Sequence, residues 1–301
     1  MKNNKFNKKP IEYRVFIAFS YIFVIIIAVL GVVPFIMMLS GSFTSESYIV
    51  NHGYSLIPKF FSVAAYKTIF ENPQRIISSY AVTIVITAVG TIISLFLTTM
   101  TAYVLQRKDF PWRNKISYFI YFTTLFSGGL TPWYMLMMKM GMKNNLISLI
   151  IPHLFSVFNI LIVRNYMNGI PHEISESAKV DGANDFLIFV KLIIPLSKPV
   201  IATIALFTGL TIWNEWYNCM LFISDQNLYT LQYYLYNMLN NATAMKELVS
   251  GTSVDLLSST DLPAESAKLA MAIIATGPIL LLYPFIQKYF VKGIVIGAVK
   301  G

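Results

Sequence analysis

The sequence predicts an all-α membrane protein with six transmembrane helices. Hydrophobic residues make up 56% of the 301-residue chain and charged residues only 12%, whereas charged residues account for about 25% of ordinary soluble domains. The apolar residues are gathered in six long runs, and the basic residues cluster at the edges of those runs. This distribution excludes a soluble globular domain. It also argues against nucleic acid as the reason for the net charge of +9.

Each apolar run is long enough to cross a bilayer, because a helix needs about 20 apolar residues to span the hydrocarbon core. The first run follows five basic residues, as a secretory signal would, but it is too long for one and lacks a clear cleavage site. We therefore predict a retained first span. The predicted organisation is an N-terminal tail at 1–14, a transmembrane domain at 15–291 and a C-terminal tail at 292–301. The predicted spans are residues 15–39, 78–105, 116–138, 146–167, 199–222 and 268–290.

Lysine and arginine predict the orientation, because cytoplasmic loops carry an excess of them. With the N-terminus inside, both termini and the loop 172–199 lie in the cytoplasm, and the long segments 40–77 and 223–267 lie outside. The second outer segment begins with an apolar stripe that we interpret as lying on the bundle or at the lipid interface (Leu228, Leu231, Leu235, Met238 and Leu239). The inner side then holds 16 of the 23 basic residues: Lys2, Lys5, Lys8, Lys9, Arg14, Arg107, Lys108, Arg113, Lys115, Arg164, Lys179, Lys191, Lys198, Lys288, Lys292 and Lys300.

The loop 172–199 is the longest stretch after the N-terminal third that carries both charge signs. Glu176 lies near its start, where a helix N-terminus favours negative charge, and Pro171 suits a first helical turn. Gly182 interrupts the helical pattern, which predicts two short helices that meet at a corner. Such an amphipathic pair between two spans is suited to pressing against another protein. The apolar residues that recur at steps of three and four are Ile174, Ala178, Phe186, Phe189, Val190 and Ile193.

The loop has the pattern Glu-Ser-Ala, then Gly182, then Leu192, Ile194 and Pro195, which resembles the EAA loop of importer-type ABC transporter permeases. The spacing fits throughout, and the departures are Ser177 for alanine, Leu192 for isoleucine and Ile194 for leucine. In that family the loop forms the coupling helix that docks on the ATP-hydrolysing subunit. The resemblance implies the six-helix type I ABC importer permease fold. It assigns contact with the ATPase to Glu176, Ser177, Ala178, Asp181, Gly182, Ala183 and Pro195.

A second stretch, Trp213-Asn214-Glu215-Trp216, lies late in the fifth predicted span. An ionisable residue within a membrane segment is costly and normally faces the bundle interior or a wet cavity. The stretch resembles the fifth span of the maltose-type carbohydrate-uptake permeases, which makes all four residues candidates for the substrate pathway. The alternative is that the tryptophans anchor at the membrane interface and Glu215 reaches toward water. The sequence leaves both interpretations open.

The C-terminal residues Lys292 to Gly301 resemble the glycine-rich end of the same sugar permeases. In the family this tail reaches into the ATPase dimer, so the resemblance assigns ATPase contacts to Gly297, Ala298, Lys300 and Gly301. A further run, Phe126-Ser127-Gly128-Gly129, together with the tryptophan motif looks most like the branch that handles oligosaccharides or polysaccharide fragments.

The chain has no G-x-x-x-x-G-K-[ST] phosphate loop, so we expect it to be non-catalytic and ATP to be bound by a separate subunit. His52, His153 and His172 lie far apart in sequence and lack metal-ligand spacing, which indicates structural or interfacial roles. We therefore predict neither a metal nor a cofactor.

The resemblance as a whole implies a permease subunit of an ATP-driven, binding-protein-dependent importer of sugars, oligosaccharides in particular, in a bacterial cytoplasmic membrane. The implied partners are a second homologous permease, two ATP-binding cassette subunits, an extracytoplasmic sugar-binding protein, the sugar and membrane lipid, but no nucleic acid. The alternatives are a permease for a non-sugar solute and a secondary transporter. A membrane enzyme would need clusters of acidic residues or histidines within the spans, and the sequence shows none.

Overall fold

The computed structural model describes residues 11–251 and 263–298, and the regular structure within these ranges is helical apart from one isolated bridge between Thr44 and Phe61. The predicted all-α class is confirmed. The helices are α1 (Ile11–Ser42), α2 (Glu46–His52), α3 (Ala64–Ile69), α4 (Pro73–Gln106), α5 (Arg113–Thr123), α6 (Leu130–Lys139), α7 (Ile147–Ile150), α8 (Val157–Met167), α9 (His172–Val180), α10 (Asp185–Ile188), α11 (Ile194–Leu196), α12 (Lys198–Trp213), α13 (Tyr217–Phe222), α14 (Leu231–Gly251) and α15 (Ala264–Ala298). Short 3₁₀ turns occupy Ile151–His153 and Gln226–Leu228, and one π-helical turn occupies Phe189–Ile193.

Three helices in the described part of the chain are long and apolar enough to cross a membrane: Ile11–Ser42, Pro73–Gln106 and Ala264–Leu281. They correspond to the first, second and sixth predicted spans. Two bent pairs pass the same test as broken spans. These pairs are Ile147–His153 with Val157–Met167, bent by 49°, and Asp185–Leu196 with Lys198–Trp213, bent by 82°.

The third and fifth predicted spans are interrupted, as is the fourth at the 49° bend between His153 and Val157. The segment 116–138 is divided into α5 and α6, of 11 and 10 residues, and the break contains Gly129 at a φ of +82°. The segment 199–222 breaks between Trp213 and Tyr217. The apolar runs look continuous in sequence because each break contains only a few polar or glycine residues between long apolar stretches. The prediction that the chain has six transmembrane spans remains a prediction.

The described residues form two compact units, one within Met1–Glu71 and Asn241–Ile274, the other within Asn72–Asn240 and Ala275–Gly301. In the first unit, Glu46 holds the start of α15. Its carboxylate accepts hydrogen bonds from the backbone N–H of Glu265 at 2.8 Å and of Ser266 at 2.9 Å, and from the Ser266 hydroxyl at 3.0 Å. A carboxylate at a helix N-terminus satisfies free N–H groups and interacts favourably with the helix dipole. Glu46 is only 9% exposed, so water competes little for these bonds.

Glu46→Gln is expected to lower the apparent melting temperature of the purified protein, because it removes the negative charge and one acceptor oxygen from the helix N-terminus. The expected decrease in the free energy of unfolding is about 1–2 kcal/mol. Scanning fluorimetry in detergent measures the shift. Glu71→Gln is the matched control, since Glu71 is exposed and belongs to the same unit. Equal melting temperatures for the two variants would contradict the proposed cap.

In the second unit, α4, α8 and α12 pack around two apolar cores. Close approach of α4 to its neighbours depends on Gly90, where a Cβ would lie 2.8 Å from Ile212 Cδ1 and 3.4 Å from Ile150 Cγ2. Small residues allow such approach between membrane helices. One core contains Ala102, Tyr103, Leu105, Ile160, Val163, Met167, Ile188, Phe189, Ile193, Val200 and Ile204. The other contains Val82, Ile86, Leu149, Ile212, Cys219 and Ile223.

Candidate functional site

The loop 172–199 folds as two short helices that meet at Gly182. Helix α9 ends at Val180, Gly182 has a φ of +83°, and α10 begins at Asp185. Asn184 caps α10, because its Oδ1 accepts a hydrogen bond from the N–H of Leu187 at 2.8 Å. The left-handed backbone of Gly182 is one that residues with a Cβ adopt only at a cost. The predicted pair of helices with a glycine corner is confirmed.

The loop has a buried face and an exposed face. Phe189 and Ile193 belong to the first apolar core, and Ala178 and Ala183 pack partly against it. Phe186 was predicted on the same apolar face, but it is 62% exposed. Val180 is 88% exposed, and α9 contains no buried residue. Such exposed apolar side chains are consistent with the predicted docking of another protein on this loop, which stays a prediction.

The seven residues predicted to contact the ATPase are distributed over both faces. Five of them are exposed: Glu176, Ser177, Asp181, Gly182 and Pro195. The other two, Ala178 and Ala183, are half-buried and pack against the first apolar core, so they attach the loop to the helices of that core. Their contact with an ATPase stays a prediction.

Four charged residues tie the loop to the end of α4, and the sequence reasoning missed this ring. Arg107 pairs with Asp109 and also with Asp185, whose Oδ1 lies 2.6 Å from a guanidinium nitrogen. Lys179 Nζ lies 3.3 Å from Asp109 and 3.8 Å from Asp185. The ring therefore holds α9 and α10, on either side of Gly182, to the segment that follows α4. The four charged residues can be read from the sequence. Their pairing cannot, because Lys179 and Asp109 are 70 residues apart and sequence patterns relate only neighbouring positions.

Two members of the ring, Arg107 and Asp109, stay ionised over a wide pH range. Hydrogen bonds from Arg107, and secondarily from Lys179, lower the pKa of Asp109 well below its usual range. The same bond to Asp109 raises the pKa of Arg107. A carboxyl whose pKa is lowered by folding contributes its full stabilisation of the folded state above its ordinary pKa. That stabilisation is lost only as the pH falls toward the lowered pKa. We therefore expect the pair of Arg107 and Asp109 to remain intact at about pH 5.

The predicted C-terminal contact residues are only partly described. Helix α15 continues to Ala298, so Gly297 and Ala298 lie in its last turn and most of the predicted tail is helical. Lys300 and Gly301 lie outside the described residues.

Glu215 is the centre of a buried polar cluster. It is 5% exposed, and it pairs with His153 Nε2. Its carboxylate also accepts hydrogen bonds from the N–H of Asn218 at 2.7 Å and from Asn218 Nδ2 at 2.9 Å. The Thr230 hydroxyl donates to the backbone carbonyl of Glu215 at 2.6 Å. These bonds fix the break between α12 and α13.

The other three residues of the tryptophan motif differ in exposure. Trp213 is 7% exposed, and its indole N–H donates to the carbonyl of Ala275 at 3.1 Å. Asn214 and Trp216 are exposed, and Trp216 packs on Tyr236 with ring centroids 4.9 Å apart. Glu215 thus faces the protein interior, and the role of the motif in the substrate pathway stays a prediction.

A cavity of about 610 Å³ lies beside this cluster, between the start of α8 and the second half of α12. Asn159 and Thr208 meet across it, with Asn159 Nδ2 3.3 Å from Thr208 Oγ1. Polar residues next to Pro152 within an apolar run were the sequence signal for this site, and the sequence reasoning did not use it. The lining residues are Pro152, His153, Phe155, Ser156, Phe158, Asn159, Phe207, Thr208, Leu210 and Thr211.

Broken apolar spans, a cavity between two of them and an amphipathic loop are features found in membrane permeases. The polygalacturonan/rhamnogalacturonan transport system permease YtcP of Bacillus subtilis is 37% identical over 288 residues, which cover 96% of this chain and 99% of that protein. The arabinooligosaccharide transport permease AraQ of Halalkalibacterium halodurans is 26% identical, covering 91% and 93% of the two chains.

A solved structure shows the same fold. A chain of the crystal structure of a bacterial ABC transporter involved in the import of the acidic polysaccharide alginate matches with a TM-score of 0.78 and 28% identity, covering 93% of this chain and 98% of that one. No family model matches the chain. On the identity and coverage of these relatives, the chain belongs to the permease subunits of sugar-importing ABC transporters.

Proposed function

We propose that the chain is the permease subunit of an ATP-driven importer that takes oligosaccharides from an extracytoplasmic binding protein into a bacterial cell. The observation that carries the proposal is the loop 172–199, whose exposed apolar face is anchored to the end of α4 by the charged ring. The named substrates of the relatives support the substrate class, because polygalacturonan, arabinooligosaccharides and alginate are all saccharide chains.

The loop would receive force from an ATPase subunit. A groove of about 410 Å³ lies between the end of α4 and the start of α10. It includes Phe186 and three members of the ring, Arg107, Asp109 and Asp185. Exposed Val180 and Phe186 would be covered by the ATPase, which binds the ATP. A second homologous permease and a second ATPase would complete the transporter, and the C-terminal residues Gly297, Ala298, Lys300 and Gly301 would reach the ATPases.

This arrangement requires the loop and both termini to lie in the cytoplasm. Ser177→Cys, in a chain with Cys219→Ala, should react with a membrane-impermeant maleimide in inside-out vesicles only. Lys59→Cys, which is exposed in the predicted outer segment, should react in right-side-out vesicles only. Cys219 is fully buried, so its removal eliminates a weak background. Labelling of both positions from the same side would contradict the orientation.

The proposed substrate class can be tested by measuring which oligosaccharides cells remove from the medium. Cells with and without the gene are incubated with partial hydrolysates of polygalacturonan, arabinan, galactan and alginate, and the remaining oligosaccharides are measured by mass spectrometry. We expect only cells with the gene to deplete at least one oligosaccharide series. If the two strains deplete all four hydrolysates equally, the proposed substrate class is wrong.

A further inference from the structure

The cavity beside Glu215 lies near the middle of the fifth predicted span, at 199–222. Phe207 and Thr211 stand 9 and 13 residues beyond Lys198 on α12, which places them about 14–20 Å along the helix axis. The hydrocarbon core is about 30 Å thick. Polar side chains at this depth normally face the bundle interior or a wet path. Asn159 is only 7% exposed, and among the described residues its Oδ1 accepts no hydrogen bond.

The lining combines flat aromatic faces with uncharged hydrogen-bonding groups. Phe158 is 67% exposed and Phe207 40% exposed, on opposite helices of the same cavity. The C–H groups of a sugar ring carry small positive charges and pack on the negative face of an aromatic ring. Asn159 and His153 are placed to bind the hydroxyl groups at the edge of such a ring. The volume of about 610 Å³ falls within the usual range for small-molecule sites.

The charges in the cavity lining limit how the cavity could recognise a sugar. Among the described residues that line the cavity, His153 carries the only ionisable side chain, and its Nε2 is already paired with Glu215. A carboxylate of the sugar would therefore find no unpaired cation in this cavity, although some relatives transport acidic saccharides. Recognition here would depend on ring faces and hydroxyl groups, so neutral and acidic sugars of similar shape would be treated alike.

We propose that this cavity is a sugar-contact site on the translocation pathway. One ring packs between Phe158 and Phe207, and Asn159 and His153 bind its hydroxyl groups. Glu215 is a positioning residue, which acts by holding His153 and by fixing the break at the end of α12. The proposal rests on the proposed import of oligosaccharides, and it adds that this subunit itself contacts the sugar.

The test uses the whole transporter in cells and the oligosaccharide series that the depletion experiment identifies. Initial import rates are measured against sugar concentration, together with the abundance of the permease in the membrane. Phe158→Ala and Asn159→Leu are expected to raise KM about tenfold with little change in abundance. Phe158→Tyr keeps the aromatic face and should remain within about twofold of the wild type. Glu215→Gln should raise KM with unchanged abundance, because it releases His153.

Phe19→Ala is the matched control, since Phe19 is also 67% exposed but belongs to α1 and is not among the residues that line the cavity. It should leave KM unchanged. If Phe158→Ala and Asn159→Leu both import with the wild-type KM, the cavity is not a sugar site, and its wall faces lipid or another subunit. If the wild type itself imports none of the oligosaccharides, the proposed function fails, and this proposal fails with it.

Discussion

Gly182→Asp is expected to lower ATP-driven sugar uptake at least about tenfold while leaving the abundance of the permease in the membrane unchanged. Gly182 has a φ of +83°, and a Cβ placed there meets no atom within 4 Å. The substitution therefore causes no clash inside the subunit, and its strain is on the order of 1–2 kcal/mol in a loop outside the predicted spans. The new carboxylate projects from the exposed corner toward the surface assigned to the ATPase, where an unpaired charge is costly to bury.

Two controls separate backbone strain from surface disruption. Gly182→Ala introduces the same strain with one methyl group, and aspartate tolerates left-handed backbone better than alanine does. Strain alone would make the alanine variant at least as defective, whereas disruption of a docking surface makes the aspartate variant worse. Gly141→Asp repeats the change at another open glycine, with a φ of +71°, in the predicted outer segment between α6 and α7. It should leave coupling intact.

The measurement is ATP hydrolysis by the purified transporter with loaded binding protein, beside co-purification of the ATPase subunits. Both are expected to fall sharply in Gly182→Asp and to remain near wild type in Gly141→Asp. Hydrolysis coupled to uptake at the wild-type rate in Gly182→Asp would show that this loop is not the coupling element.

Reversing one charge of the ring is expected to lower uptake about tenfold, and exchanging two charges is expected to restore most of it. Arg107→Asp places a third carboxylate beside Asp109 and Asp185, so the attraction that holds α10 to the end of α4 becomes repulsion. Exposed ion pairs contribute only about 0–1 kcal/mol each to stability, so the melting temperature should change little. The loss should appear as ATP hydrolysis that no longer drives uptake.

The exchange Arg107→Asp with Asp185→Arg tests the pair directly, because it restores opposite charges at the same two positions. Lys108→Asp is the control, since Lys108 is exposed, adjacent in sequence and makes no ion pair among the described residues. It should behave like the wild type. The ring has no role in coupling if Arg107→Asp and Lys108→Asp give equal uptake.

Sequence alone determined the class of protein and the shape of its central loop. Composition and long apolar runs are sufficient for the membrane class, because the bilayer leaves a chain few ways to satisfy its backbone groups. The corner at Gly182 was also predictable, because the signals are local: an interrupted helical period and a glycine between two charged segments. The resemblance of the loop to the EAA pattern then identified the family to which the chain proved to belong.

Only the tertiary structure decided which polar residues act together. His153 and Glu215 are 62 residues apart in sequence, and each looked like an isolated polar residue in an apolar run. The ring that joins Arg107 to Asp185, and the separation of exposed Phe186 from buried Phe189, likewise depend on how distant helices pack. Hydropathy and spacing describe one helix at a time. A hydrogen bond or ion pair between helices depends on the three-dimensional distance between side chains, which the chain fixes only when it folds.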